Sequence, residues 1–572
     1  MISAIKEDIY RYHGGNYNKL TIKLAYLYKP YTRYMYFFRK AQFAKNRFSK
    51  QFWCILLKNL KYKSGVQIPA GTRIGRGFRL LHFGSVVVHP NSVIGHNCNI
   101  AQGVLIGESF INGTCGTPKI GNNCCIFANS IVIGNITIGN DVLIAPGAFV
   151  NFNVPENSIV IGNPGKIIHR NSSPNKNILS IPLIMTKILE IINLPSSAKN
   201  FIGGQFKYLH EKGGFEMHLI CSPGDNIEDF ASQNNIHYYP VNLSRQLSPW
   251  RDLKSLCCIV RYLRRNKIDM VIAHQAKARL LGMIACSIAR VPHRIVFAHG
   301  ILYETMTGIK RTLVKLNDKY VSWLADKVVC VSKYVANFRE KDHIDKSGKT
   351  IILGNGSCNG IDIEQKFNPD RISPIEIAEL KSNFGIDENQ FVIGFVGRLV
   401  RDKGVIELIE AFRVLRKRHP KQKITLLVIG EPEFRDSLPT STLEYLRNGE
   451  DIIFTGQVPF SKIQTYYMLM NVLVLPTHRE GLGMVALEAE AMGVPAIVSG
   501  YTGSAETVIN GKTGYHIDKT PESIICAVEK LLDKASAAAM GEKGREFVSK
   551  HFSHTKYCEL MLQFLETELK KR

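Results

Sequence analysis

The apolar segment FVIGFVG runs directly into Arg398, and Lys403 follows five positions later, ahead of a helical pattern. Two cations held at the carboxyl end of a buried strand, beside Gly397, can clamp a phosphate. Fixed positive charge steadies the negative charge that grows as a phosphate group departs, with no metal required. A lone Arg–Lys pair is by default a solvated basic loop, so the clamp rests on the strand and the glycine in front of it. Two glutamates, Glu480 and Glu488, stand eight positions apart in THREGLGMVALEAEAMGVPAIVS. Such spacing ordinarily marks a solvated helix face. Here the strand-like NVLVLPT precedes the acids and VPAIVS follows, and Gly481, Leu482 and Gly483 form a loop at the helix start, where backbone amides attract anions. A carboxylate on that helix accepts two hydroxyls and so suits a sugar ring. His299 leaves another apolar strand in RIVFAHGILYE and Gly300 breaks it, which directs the imidazole into a cleft rather than a core. Gly430 ends ITLLVIG and Gly456 ends DIIFTG, which places both at the same kind of edge.

The elements that must carry these residues follow from pattern. From about residue 182 onward, short apolar strands alternate with amphipathic helices, the signature of α/β architecture. Gly203 and Gly204 fall between a strand and a helix in KILEIINLPSSAKNFIGGQF, where glycine lets backbone amides approach a phosphate; an ordinary turn is the plainer reading. Residues 65–165 differ. Aliphatic residues recur every sixth position at Ile68, Ile74, Leu80 and Val86, resume after a two-residue slip at Ile94, Ile100 and Ile106, and continue after an insertion at Ile120, Ile126, Val132, Ile138, Ile144 and Val150. A period of six fits neither an α-helix nor an alternating strand. It fits a solenoid of short strands and tight turns, with thirteen hexads at three per coil giving about four coils.

Residues 1–168 resemble the hexapeptide-repeat acyltransferases of the serine-acetyltransferase-like branch, on the strength of IKEDIYRYHG, IPAGTRIGRGFRLLHFG and IGNPGKII. The resemblance implies a left-handed parallel β-helix, usually trimeric, with acetyl-CoA bound between neighbouring prisms. It makes His82 the base that deprotonates an acceptor hydroxyl, with His89 and His96 as rivals, and Gly107, Ala128, Gly147 and Lys166, with Lys119, as candidate acetyl-CoA contacts. Where serine-specific relatives carry acids and a second histidine, this chain has Gln67, Leu81 and Thr117, which points to a sugar hydroxyl as acceptor. Residues 182–572 resemble family-four glycosyltransferases of the GT-B fold, two Rossmann-like domains facing across a cleft. That resemblance makes His299 a donor-sugar contact and Arg398 and Lys403 the leaving-group clamp. It assigns Glu480 to the transferred sugar, the Gly481–Gly483 amides to the diphosphate and Glu488 to the ribose, with Glu506 in a further family turn.

Composition bounds the rest. A chain of 572 residues with 45% hydrophobic content holds three to four domains. The net charge of +25 calls for anionic partners: nucleic acid, a membrane face or phosphorylated small molecules. Residues 1–60 contribute 12 Lys/Arg against only Glu7 and Asp8. Basic and aromatic residues interleave there, as in Tyr31, Arg33, Tyr34, Tyr36, Phe37, Phe38, Arg39 and Lys40. This suits a helical cap on the β-helix, a membrane-surface segment, or base stacking, which is the weakest of the three readings. The 13 cysteines show no ligand or disulfide spacing and read as reduced thiols. The start MISAIKEDIYRYHGG is not a secretory signal, and no apolar run reaches membrane-spanning length.

The expected organisation is a helical arm (1–60), a β-helix (61–169), a linker (170–181), two Rossmann-like domains (182–365 and 366–540) and a returning C-terminal helix (541–572). The expected function is bifunctional and cytoplasmic, peripheral on the inner membrane face. It joins retaining transfer from a nucleotide sugar, a UDP-sugar, onto a lipid-linked glycan of a surface polysaccharide with O-acetylation of a glycan sugar, without metal or nucleic acid. Two alternatives stand beside it: the β-helix as a non-catalytic trimerisation scaffold, and a GT-B-fold nucleotide-sugar epimerase.

Overall fold

The computed structural model describes residues 2–13, 30–44, 46–82, 84–109, 115–175, 178–179, 185–243, 248–433 and 437–570. They fall into two compact units, Met1–Met185 and Thr186–Arg572; position 182, the expected start of the first α/β domain, lies outside the described residues.

In the first unit, strands of two to four residues stack in three sheets, with every neighbour parallel until the last strand, Lys166–His169, turns back antiparallel. Ile74, Ile94, Ile120 and Ile138 lie in register in one sheet. Leu80, Ile100, Ile126, Ile144 and Val160 do so in the next. All of them point into a closed apolar interior. The two-residue slip is absorbed by a three-residue strand: Val86 pairs with Val66 and Val88 with Ile106, and because side chains alternate along a strand both valines stay inside. Left-handed turns use Asn97, Asn123 and Asn129, the non-glycine type that best tolerates positive φ.

The helices Ile2–His13 and Pro30–Gln42 cover the first coil through buried polar contacts. Arg39 pairs with Asp8 at 2.7 Å and donates to the Ile74 carbonyl at 2.7 Å, while Asp8 accepts the Phe78 amide at 2.9 Å. Arg11 donates to the Gly77 carbonyl at 2.7 Å. Part of the basic arm is therefore a cap whose cations are consumed internally. The following helix, Arg47–Ser64, keeps Phe48, Phe52, Ile55 and Tyr62 exposed.

The second unit holds two wholly parallel sheets with the same strand order. The first runs His237–Pro240, Phe215–Cys221, Thr186–Ile191, Met270–Ala273, His293–Ala298, Lys327–Cys330 and Thr350–Ile351. The other runs Ile452–Gly456, Ile424–Ile429, Phe391–Val396, Val472–Leu475, Ala496–Ser499 and Gly514–Ile517. In each, the order reverses between the first and fourth strands in sequence, and the crevice beyond the carboxyl ends at that point is where such sheets bind ligands. The return to the first sheet is made by two helices. Lys534–Phe552 packs on the helix Met484–Ala491, and after Ser553 the helix His554–Lys570 sets Tyr557, Met561 and Phe564 against Ile188 and Phe206. The crossing thus begins at His554, later than the expected 541.

Candidate active site

Both reversal points carry the residues singled out above. On the second sheet, the strand Phe391–Val396 delivers Gly397 and Arg398, and Val472–Leu475 leads to Glu480. Gly397 and Gly430 pack so closely that a Cβ on Gly430 would lie 1.8 Å from the Gly397 carbonyl oxygen, so only glycine fits there. Arg398 is half exposed and pairs with Glu433 at 2.6 Å. Lys403 instead reaches across to Glu480 at 2.5 Å in a more sheltered setting. The two cations thus enter the crevice with different acid partners. Gly483, at φ 85°, turns the chain into the helix Met484–Ala491, which carries Glu488 inward. Glu488 is buried and accepts a hydrogen bond from the Tyr467 hydroxyl at 2.8 Å, and burial pushes its carboxyl up to about 7.

The first sheet faces this loop. His299 follows His293–Ala298, and a Cβ on Gly481 would fall 1.9 Å from the His299 carbonyl oxygen, so the glycine loop lies directly on the His299–Gly300 backbone. Ser332 Oγ donates to the Gly481 carbonyl at 2.5 Å. Glu506 accepts the amides of Lys333 and Tyr334 at 3.0 and 2.5 Å, capping the helix Lys333–Lys341 from the other sheet's domain. His299, Arg398, Lys403, Glu480, Gly481, Leu482, Gly483 and Glu488 therefore sit at facing carboxyl-end crevices. Gly203 and Gly204 do not behave as expected. They lie inside a continuous helical run that begins at Pro195, so their amides are not a free helix start. The space above them is taken by Phe230 and the His554 ring, which makes close packing the reason for both glycines.

In the first unit His82 is exposed in the turn after Arg79–Leu80. The same corner of later coils holds Gln102, against which Gly84 packs, then Ala128 and Gly147, whose amide donates to the Ala128 carbonyl at 2.9 Å. At about 4.8 Å per coil, His82 and Ala128 share one edge about 10 Å apart. Gly107 lies at the opposite end of its strand, on another corner, beside His89, which faces Glu108 at 3.7 Å. Lys166 is exposed at the start of the terminal strand, where it pairs with Ile161 at the sheet end that leads into the His82 and Ala128 corner. His96 accepts the Arg76 amide on Nδ1 at 3.0 Å, and burial beside that cation holds it down to about 4, so it braces a turn. All 13 cysteines are free thiols.

Comparison with known proteins gives these arrangements a family. The profile of the glycosyl transferases group 1 matches residues 376–547, that of glycosyltransferase family 4 matches 206–357, and that of the bacterial transferase hexapeptide matches 117–151. The capsular polysaccharide biosynthesis glycosyltransferase CapM of Staphylococcus aureus is 32% identical over 387 residues, covering 67% of this chain and 98% of CapM. The chain is a family 4 glycosyltransferase carrying a hexapeptide-repeat region. An Escherichia coli relative, UDP-Gal:alpha-D-GlcNAc-diphosphoundecaprenol alpha-1,3-galactosyltransferase, is 26% identical over 351 residues, 60% of this chain and 86% of its own. Among solved structures, a glycosyltransferase from Rickettsia africae aligns with a TM-score of 0.56 at 19% identity, covering 68% of this chain and all of that one. HepE of Anabaena in complex with UDP-glucose aligns with a TM-score of 0.55 at 20% identity, covering 67% and 99%. Both likenesses concern the fold.

The glycosyltransferase crevice also contains residues that spacing did not reveal. His274, just after Met270–Ala273, joins His299 Nε2 through its Nδ1 at 2.9 Å and Glu190 through its Nε2 at 2.7 Å. Burial drives Glu190 up to about 8 and His274 down to about 3, and it holds His299 well below the usual histidine range. Tyr467, the partner of Glu488, was also missed. One signal was available: in TKILEI, Glu190 is an acid among the aliphatic residues Ile188, Leu189 and Ile191, which is costly without a purpose.

Proposed function

We propose that this chain helps to build a bacterial surface polysaccharide. Its C-terminal unit transfers a sugar from a UDP-sugar to a lipid-linked glycan with retention of anomeric configuration. The N-terminal unit, a left-handed β-helix acting as a trimer, O-acetylates a sugar of the same glycan from acetyl-CoA with His82 as base. The observation that carries the first half is the Lys403–Glu480 pair at 2.5 Å, set at the sheet's reversal point beside Arg398 and opposite His299. In this reading Arg398, Lys403 and the Gly481–Gly483 amides take up the diphosphate's charge. Glu488 holds the ribose, His299 meets the donor sugar, and the acceptor attacks the face the diphosphate leaves. The domains run 61–169, 182–365 on the acceptor side, 366–540 on the nucleotide side and 541–572 returning. CapM's name supports the polysaccharide assignment, and the E. coli relative's name supports the UDP-sugar and the lipid diphosphate.

Support for a membrane-borne acceptor comes from the helix Gly308–Leu324. Ile309, Leu313, Leu316, Tyr320 and Trp323 form a stripe there, each 45–79% exposed, about 21 Å long at 1.5 Å per residue. Lys310 and Lys319 flank it, and the helix's one acid, Asp318, is buried against Arg279 and Arg339. Apolar residues flanked by cations match an anionic bilayer surface. Among the described residues no helix is long and apolar enough to cross a membrane.

The test is UDP release and glycan extension on an undecaprenyl-diphosphate-linked sugar with a panel of UDP-sugars, lost in Lys403→Ala. Epimerised free UDP-sugar without extension would decide for an epimerase. The exposure of His82 and the residues Gln67, Leu81 and Thr117 favour a second reading of the N-terminal unit as a trimerisation scaffold. Equal acetyl-CoA turnover in wild type and His82→Ala decides for that scaffold.

A further inference from the structure

Three buried or half-buried side chains from separate strand ends form one line: Glu190 at the end of Thr186–Ile191, His274 after Met270–Ala273, and His299 after His293–Ala298. The contacts are 2.7 Å from Glu190 Oε2 to His274 Nε2 and 2.9 Å from His274 Nδ1 to His299 Nε2. Glu190 and His274 are 2% and 1% exposed, so neither can touch a ligand directly. We propose that Glu190 and His274 are positioning residues that fix which ring nitrogen of His299 carries the proton, so that His299 presents an Nδ1–H to the donor sugar. The inference rests on reading His299 as a donor-sugar contact.

With both histidines neutral, as burial holds them, proton bookkeeping along the line leaves two arrangements. With Glu190 protonated, its O–H donates to His274 Nε2, His274 Nδ1–H donates to His299 Nε2, and His299 must carry its own proton on Nδ1, the only ring nitrogen left for a ligand. With Glu190 ionised, His274 Nε2–H donates to the carboxylate and His299 Nε2–H donates to His274 Nδ1. His299 Nδ1 is then bare. Moving between the two releases one proton, and the group that changes character is His299 Nδ1, from donor to acceptor. A buried acid two residues away from the ligand therefore sets the chemistry that the ligand meets.

The surroundings favour the first arrangement. Leu219 and Ile272 flank Glu190 in the sheet, so its neighbours on both strands are apolar. Tyr557 of the helix His554–Lys570 also faces it. Arg279, on Ala276–Ala289, disfavours a second proton on either histidine, and it is itself held by Asp318 at 2.8 Å. Burial keeps the Glu190 carboxyl protonated to about pH 8. The rings of Phe297 and Phe201 stack on His299 with centroids 5.9 and 6.0 Å away, which restrains the imidazole plane.

Full-length Glu190→Ala, Glu190→Gln and His274→Ala test the line, because a glutamine amide can donate to His274 Nε2 as the protonated acid does but cannot titrate. UDP release from UDP-galactose and UDP-glucose should fall about 10–100-fold in kcat, with KM little changed, in Glu190→Ala and His274→Ala. Glu190→Gln should recover most of the loss seen in Glu190→Ala and should lack the decline in kcat that the wild type shows above about pH 8. Long-range 1H–15N spectra of histidine-labelled protein, with the His299 signal identified by its absence in His299→Asn, should show the proton on Nδ1 at neutral pH in wild type and Glu190→Gln. A proton on Nε2 in the wild type, or the same alkaline decline in Glu190→Gln, overturns the proposal. If neither UDP-sugar is turned over by the wild type, the donor reading fails while the spectra still decide the proton's position.

Discussion

Replacing Tyr467 with phenylalanine removes one hydroxyl from a fully buried ring and leaves its packing in place. The hydroxyl donates at 2.8 Å to Glu488, whose carboxyl burial has already raised to about 7; Lys366, itself pushed down to about 8 by burial, gives the carboxylate some support. A hydrogen bond to a charged group contributes about 1.5–3 kcal/mol, and one pKa unit corresponds to about 1.4 kcal/mol, so its loss lifts Glu488 by about one to two units. At about pH 7 the ionised fraction then falls from about one half to between one-tenth and one-hundredth. Only the carboxylate can accept both ribose hydroxyls. Affinity for a nucleotide sugar should therefore drop about 5- to 50-fold at neutral pH and return toward the wild-type value by about pH 9. Calorimetric titration with UDP-glucose between about pH 6 and 9 measures this. A nucleotide sugar is used because a terminal phosphate titrates near pH 6 and would blur the curve. Wild-type affinity should itself climb as the pH rises through about 7. A flat wild-type profile, or a Tyr467→Phe loss of equal size at every pH, would refute the reasoning.

Gly481→Ala would thrust a Cβ to 1.9 Å from the His299 carbonyl oxygen, so the loop must retreat from the facing sheet. A misplacement of about 1 Å costs about 10²-fold, and kcat/KM should fall that far in protein that is still folded by circular dichroism, with a modest loss of melting temperature; normal turnover would mean the approach is not needed. Arg339→Met strips a buried guanidinium from Asp345, at 2.7 and 2.8 Å, and from Asp318 at 3.0 Å. Denaturant unfolding should register a loss of about 3–5 kcal/mol. Stability should also vary with pH in two opposed ways. His218 and His274, held down to about 4 and 3, and His299 with them, stay neutral when folded, so the stability they lend is present above about 6.5 and lost as pH falls toward those values. Glu190 and Glu488, raised to about 8 and 7, favour the fold most at low pH, and that advantage is lost as pH rises from about 4.5 to 8. Thermal melts should therefore peak near about pH 6 and decline toward pH 8; a steady rise through pH 8 would contradict the raised Glu190 and Glu488.

The hexad register was legible because it is local: each six residues make one strand and one turn, so Ile74, Ile94, Ile120 and Ile138 disclose their stacking without knowledge of the rest. Arg398, Lys403, Glu480 and Glu488 were legible because apolar strands bracket them. What pairs with what was not, since Lys403 and Glu480 are 77 positions apart and Glu190 and His274 are 84 apart. Only the strand order brings such ends together. Gly203 and Gly204 misled for the opposite reason. A Gly–Gly between strand and helix patterns looks like a phosphate loop, but the helix had already begun at Pro195; Gly203 is demanded by Phe230 and Gly204 by His554, which is some 350 residues away in the chain.

On the proposed reading of Arg398 and Lys403 as a phosphate clamp, their unequal partners also change how a diphosphate would be received. The Arg398–Glu433 pair is the more exposed, with the guanidinium side chain 54% accessible, and such pairs contribute about 0–1 kcal/mol. A diphosphate can displace Glu433 at little cost and take Arg398 in a bidentate grip. The Lys403–Glu480 pair is shorter and more sheltered, with side chains 17% and 21% accessible, and separating it would leave a partly buried carboxylate without its cation. Lys403 therefore does better by keeping Glu480 and meeting the ligand with its remaining donors, since an ammonium has three. On this argument the same lysine orients the acid assigned to the transferred sugar and steadies the departing phosphate, which ties sugar position to leaving-group charge. Replacing Glu480 should accordingly disturb phosphate binding as well as sugar selection, whereas replacing Glu433 should leave both nearly intact.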